Sequence, residues 1–204
     1  MKRLLGAIAI LLCIATTTHG LDEPPKPVSL FDGKTLEGWA AEHADGFGVH
    51  DGALTVNAGP GWLRSVKPYK NFEIEAEFRI AKPGAEGSLL FRTSLETAST
   101  EPFGPAKGYQ LQLTDGESSF MLFGHGTNPP KFERKTDALK ATAKESGAWR
   151  KLKLSVVGTH LEARLDGEPI TISDAIEPAP GHLGLVGKAG QLEWRHMTIL
   201  VLPD

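Results

Sequence analysis

The sequence predicts an all-β protein, a sandwich of two antiparallel sheets with at most one short surface helix. Three observations predict it. Apolar and polar residues alternate with a period of two in segment after segment, the pattern of a strand with one face in a core. Asp-Gly pairs at 51–52, 115–116 and 166–167 are each flanked by alternating residues, which marks hairpin turns. Finally, 23 glycines and 14 prolines among 204 residues leave little room for long helices.

Taken in order, the chain opens with Lys2 and Arg3 before an uncharged apolar run from Leu4 to Ala15. That run is shorter than the ~20 apolar residues a membrane span needs. Small and polar residues follow, so residues 1–20 read as a secretory signal peptide cleaved after Gly20, and the chain as exported, periplasmic or extracellular. An uncleaved anchor is the competing reading, and it lacks a stop-transfer pattern. Residues 21–27 form a proline-rich leader that cannot join a sheet ladder.

Residues 28–204 read as one domain. Across 72–80, Phe72, Ile74, Ala76, Phe78 and Ile80 take one face while Glu73, Glu75, Glu77 and Arg79 take the other. Tyr109, Leu111 and Leu113 alternate with Gln110 and Gln112. Leu152, Leu154 and Val156 do so with Lys151, Lys153 and Ser155, and Leu161, Ala163 and Leu165 with His160, Glu162 and Arg164. Strands with one apolar and one polar face fit two antiparallel sheets sharing a core. The one helical candidate, residues 135–146, has sparse apolar positions and reads as a short surface helix in a loop.

Charge and cysteine content exclude several classes of function. The 22 basic residues less Lys2 and Arg3 leave 20 against 25 acidic ones, a net charge of −5 after cleavage. With no clustered basic face, nucleic acid is not an expected partner. The one cysteine, Cys13, lies in the apolar run, so the mature chain has no disulfide and no thiol nucleophile. Any metal would need His, Asp, Glu or carbonyl ligands, and no H-x-H or HExxH spacing occurs.

A series of short motifs runs through the chain: Val28-Ser-Leu-Phe-Asp-Gly-Lys-Thr-Leu-Glu-Gly-Trp39, Phe47-Gly-Val-His-Asp-Gly-Ala-Leu-Thr-Val56, Phe72-Glu-Ile-Glu-Ala-Glu-Phe-Arg79 and Gly87-Ser-Leu-Leu-Phe-Arg92. Gly108-Tyr-Gln-Leu-Gln-Leu-Thr-Asp115, Gly147-Ala-Trp-Arg150, Leu165-Asp-Gly167, Gly181-His-Leu-Gly-Leu185 and Leu192-Glu-Trp-Arg195 continue it. In this order the series resembles the 3-keto-disaccharide hydrolase family. The resemblance implies a concanavalin-like jelly roll whose curved sheet presents a polar face to saccharides or glycosides. It also implies cleavage of sugars bearing a ketone at carbon 3, by abstraction of the carbon 2 proton, elimination and hydration. Such a site needs a base, an acid for the leaving oxygen, and hydrogen-bond donors or a divalent metal for the enolate.

By analogy with laminarinase-type glycosidases, the strand around Tyr109 to Leu113 faces the substrate, so Gln110 and Gln112 are expected on the saccharide-binding surface. Arg92, with Glu75 or Glu77, is expected there from neighbouring strands. The family usually carries Glu where this chain has Gln110, and an amide cannot act as a base. Either catalysis has moved to Glu75, Glu77, Asp115 or His125, or the chain binds sugar without cleaving it. His125, between Gly124 and Gly126, is an accessible base or ligand. Trp62, after a Gly-Pro-Gly turn, is the candidate for stacking on a sugar ring. Tyr109, Trp39, Trp149 and Trp194 read as core. His196, where the family tends to carry Asn, reads as a packing or hydrogen-bonding residue.

Overall fold

A run of half-apolar strands can hide its hydrophobic faces only by pairing them sheet against sheet, and the computed structural model has that architecture. It describes residues 24–42, 46–56, 62–96, 104–188 and 192–204. The expected signal peptide and the Gly-Pro-Gly turn before Trp62 lie outside the described residues. Residues 24–27 of the proline-rich leader are exposed and without regular structure.

The elements are β1 (Val28–Ser29), β2 (Trp39–Glu42), β3 (Phe47–His50), β4 (Ala53–Val56), β5 (Trp62–Tyr69), β6 (Phe72–Ile80), β7 (Glu86–Thr93) and β8 (Gly108–Thr114). After them come β9 (Leu122–His125), β10 (Glu133–Arg134), α1 (Thr136–Ala141), β11 (Arg150–Val157), β12 (His160–Leu165), β13 (Glu168–Ser173), β14 (Gly181–Lys188) and β15 (Leu192–Val201). One sheet of nine strands runs β10-β13-β12-β11-β6-β15-β4-β3, with β1 on β15. The other, of six, runs β2-β5-β14-β7-β8-β9. Each pairing is antiparallel.

The alternation places the core as expected. Phe72, Ile74, Ala76, Phe78 and Ile80 from β6 meet Leu89, Phe91, Tyr109, Leu111 and Leu113 from the other sheet, all buried. Asp51-Gly52 and Asp166-Gly167 close two-residue hairpins, with all four residues at positive φ, as a type I′ turn requires. Asp115-Gly116 instead opens a longer connection, residues 115–121, before β9 pairs back on β8. The helix is a single six-residue piece with no buried residue, and only Ala138 and Leu139 touch the core.

Two bulges redirect side chains. On β7, Leu90 pairs with Gly184 and Thr93 with His182, so Phe91 and Arg92 together oppose Leu183. Arg92 takes a φ of +50°, which ends the strict alternation and turns its side chain away from the sheet's outer face. On β15, His196 and Met197 together oppose Ala76, and His196 has a φ of +52°. His196 is exposed rather than packed. Asn and His both tolerate this left-handed conformation, so the position is conformational rather than a packing site.

Candidate functional site

The outer face of the six-stranded sheet carries the polar positions of β7, β8 and β9. Ser88 is the cross-strand partner of Gln112, Leu90 of Gln110, and Gln110 of Phe123. These residues share one face because paired residues point the same way. Ser88, Gln110, Gln112 and Phe123, together with Glu86 and His125, line a hollow of about 380 Å³. A continuous hydrogen-bond chain crosses its floor. His125 Nε2 donates to Gln110 Oε1 at 2.8 Å, and Gln110 Nε2 donates to Ser88 Oγ at 2.7 Å. Donation from Nε2 makes Nδ1 the ring's basic nitrogen in the neutral tautomer. Among the described residues, the side chains of Gln112 and Glu86 have no hydrogen-bond or ion-pair partner.

Of the residues expected at the site, Gln110, Gln112 and His125 come together here. The others do not. Glu75 and Glu77 stand on β6, which pairs with β11 and β15 in the nine-stranded sheet and so is not a neighbour of β8. Their side chains face outward on the opposite side of the sandwich, in a network of ion pairs. Lys153 lies 3.2 Å from Glu75, Arg195 2.7 Å from Glu77, and Arg79 2.6 Å from Glu193. Trp149, expected in the core, is a half-buried lid on this network, with Arg195 at 4.1 Å and Arg79 at 4.8 Å from its ring. Asp115 sits past the end of β8, where it accepts the Gly84 N–H at 3.0 Å beside a separate cavity of about 310 Å³.

Arg92 is 5% exposed and binds backbone rather than a surface partner. Its guanidinium donates to the carbonyls of Lys70 (2.7 and 3.0 Å), Glu177 (2.7 Å) and Gly158 (2.8 Å). Burial lowers its pKa from the ordinary arginine value, against a smaller opposing effect of Tyr109. Trp62 begins β5 rather than lying in a loop, and it is fully buried, so no sugar face can reach it as it stands. It lies over Gly184, where a Cβ would come within 2.6 Å of Cε3.

Three lining residues went unread in the sequence as site members: Glu86, Ser88 and Phe123. Phe123 is 41% exposed and takes the aromatic place at the hollow that Trp62 was expected to fill. The buried Leu122 before it was the available signal, since alternation puts Phe123 and His125 together on the other face. Among the described residues, no three His, Asp or Glu side chains gather closely enough to hold a metal ion. In the hollow, His125 stands opposite Gly108 and Glu86 opposite Thr114, six positions apart along β8 or about 20 Å, so the two do not share one ion.

The sequence profile of the 3-keto-alpha-glucoside-1,2-lyase-like domain family matches residues 26–200. The chain belongs to this family. A 3-keto-disaccharide hydrolase of Bacteroides thetaiotaomicron is 27% identical over 153 residues, covering 63% of this chain and 52% of that protein. The chain thus spans about half the length of the curated relative it matches. Among solved structures, a proposed glycosyl hydrolase of Parabacteroides distasonis superposes with a TM-score of 0.64 at 17% identity, covering 87% of this chain and 94% of that one. The carbohydrate-binding module CBM66 of Bacillus subtilis follows at 0.61 and 16%, covering 80% and 95%. For this family member, these likenesses establish the concanavalin-like sandwich.

Proposed function

We propose that this chain is an exported, carbohydrate-active domain that cleaves 3-keto-glycosides in the hollow of the six-stranded sheet, with His125 as the base. The observation that carries the reading is the hydrogen-bond chain from His125 through Gln110 to Ser88. With Glu75, Glu77 and Asp115 turned elsewhere, His125 is the remaining basic candidate from the sequence. Gln110 has the orienting role, since its carbonyl oxygen accepts from Nε2 and so fixes the imidazole tautomer.

In the reaction, Nδ1 takes the carbon 2 proton, made acidic by the adjacent ketone. The electron pair forms the carbon 1–carbon 2 double bond as the bond from carbon 1 to the leaving oxygen breaks, and that oxygen takes up a proton. Water then adds across the double bond, hydroxyl to carbon 1 and proton to carbon 2, releasing a 3-keto sugar. The Gln112 amide is placed to donate to the carbon 3 oxygen as charge develops. Glu86 supplies a carboxylate for sugar hydroxyls. Family membership and the 3-keto-disaccharide hydrolase relative support the substrate class.

To test it, the purified protein is incubated with a 3-keto-disaccharide in D₂O, with and without divalent metals. Sugar release with deuterium at carbon 2 is expected, and His125→Ala should abolish both. No product under any metal condition overturns the reading. Export is checked separately by mass spectrometry of the secreted form, which should begin at Leu21.

One observation favours a second reading. The resemblance implies a carboxylate where this chain has Gln110, and an amide there suits a module that binds glycans without cleaving them. Saturable glycan binding without turnover, and turnover gained in Gln110→Glu, would establish it.

A further inference from the structure

Phe123 stands on an edge strand, 41% exposed, on the same sheet face as His125, Gln110 and Gln112. A single exposed apolar side chain is ordinary. This one borders a 380 Å³ hollow whose other walls hold an amide and a carboxylate without partners among the described residues. We propose that Phe123 is the platform on which the sugar ring lies, and that it makes the hollow select the configuration at carbon 4. The inference rests on the proposed use of the hollow and adds which face of the ring is bound.

Because Phe123, His125 and Gln110 all rise from one sheet face, a ring lying flat on Phe123 shows the same face to all of them. In the chair of a 3-keto sugar of gluco configuration the axial hydrogens of carbons 2 and 4 share one face, and that of carbon 5 lies on the other. A base in the floor reaches the carbon 2 hydrogen only when the first face is down. The carbon 4 hydrogen is then directed at the Phe123 ring, a favourable C–H contact with its negative face. In the carbon 4 epimer an axial hydroxyl takes that place and is pressed on an apolar surface that offers it no hydrogen bond. In an α-glycoside the leaving oxygen is axial on the opposite face, anti to the carbon 2 hydrogen, and departs toward solvent.

The test compares methyl 3-keto-α-D-glucopyranoside with its carbon 4 epimer on the wild type, Phe123→Leu and Phe123→Trp. The gluco substrate should lead by about tenfold in kcat/KM, the size of one aromatic contact. Phe123→Leu should bring the ratio toward one, mainly through KM, and Phe123→Trp should keep it. Equal handling of the epimers by the wild type, or a preference unchanged in Phe123→Leu, overturns the proposal. A parallel NMR titration with methyl α-D-glucopyranoside and methyl α-D-galactopyranoside needs no turnover. If no 3-keto substrate reacts, the catalytic reading fails, and the epimer preference in this titration still decides the role of Phe123.

Discussion

Replacing Arg92 by Met distinguishes a structural arginine from a sugar-binding one. The guanidinium bonds three backbone carbonyls, those of Lys70, Gly158 and Glu177, from segments far apart in the chain. Hydrogen bonds to a charged group contribute about 1.5–3 kcal/mol each. Part of that sum is offset because Met removes a charge whose burial is unfavourable, the cause of the lowered pKa of Arg92. The half-buried carbonyls of Lys70 and Gly158 lose this donor, while that of Glu177 keeps the Ala179 N–H, which sets the net loss at about 3 kcal/mol. For a chain of this size, a urea slope of about 2–3 kcal/mol per molar turns the loss into a midpoint shift of about 1 M. Arg92→Lys keeps the charge but not the fork, and should fall between the two. Tryptophan fluorescence during urea unfolding measures the midpoint, and a glycan titration of the folded variant measures binding. A midpoint shift under ~0.2 M, or a loss of glycan binding at unchanged stability, refutes the structural reading.

Three further outcomes follow from other parts of the molecule. In Gln110→Glu a carboxylate beside His125 favours the imidazolium and raises its pKa. Since the base acts deprotonated, the rise of kcat/KM with pH should move to higher pH, and an unmoved profile removes His125 from that role. Burial alone would raise the Asp166 carboxyl, but Lys144, the Lys151 N–H and Arg150, each at 2.8 Å, outweigh it and hold it below its ordinary range. Its stabilising contribution is therefore present above about pH 4 and is lost as pH falls through the lowered value. Thermal melts of Asp166→Asn should lie below wild type near neutrality and converge with it in acid, the backbone being spared because Asn also tolerates the φ of +51°. Gly184→Ala drives a Cβ to 2.6 Å from Trp62 and 3.0 Å from Leu90. It should cost about 1–3 kcal/mol and change Trp62 emission, and an unaltered melting temperature would contradict the packing described.

Period-two alternation made the inner and outer faces of β6, β8, β11 and β12 legible, because facing is a local property of a strand. It could not say which sheet a strand joins. Pairing of β6 with β11 and β15 rather than with β7 or β8 depends on contacts between distant residues, and so Glu75 and Glu77 were assigned to the wrong side of the sandwich. Arg92 was misread for a different reason. A bulge adds one residue to β7, and a bulge leaves no mark in apolar spacing. Trp62 and Trp149 exchanged the environments expected of them: the first is buried on the outer face, and the second rests on two arginines that alternation places outside. The amides of Gln110 and Gln112 stand on the outer face, as alternation predicts, because their strand is regular throughout. Phe123 was open to the same argument one strand further on.

The site's position on β9 has a consequence for how the chain tolerates change. Phe123 and His125 occupy alternate positions of a four-residue strand, and the span 115–121 joins it to β8. Adding or deleting one residue in that span would turn Leu122 and Gly124 toward the hollow and bury Phe123 and His125, leaving the other pairings of the sandwich in place. Changes of two residues would restore the facing. Among natural or engineered length variants of this connection, activity should therefore follow the parity of the length change, and odd changes should also cost stability, since they bury His125 and displace Phe120 of the span from the core.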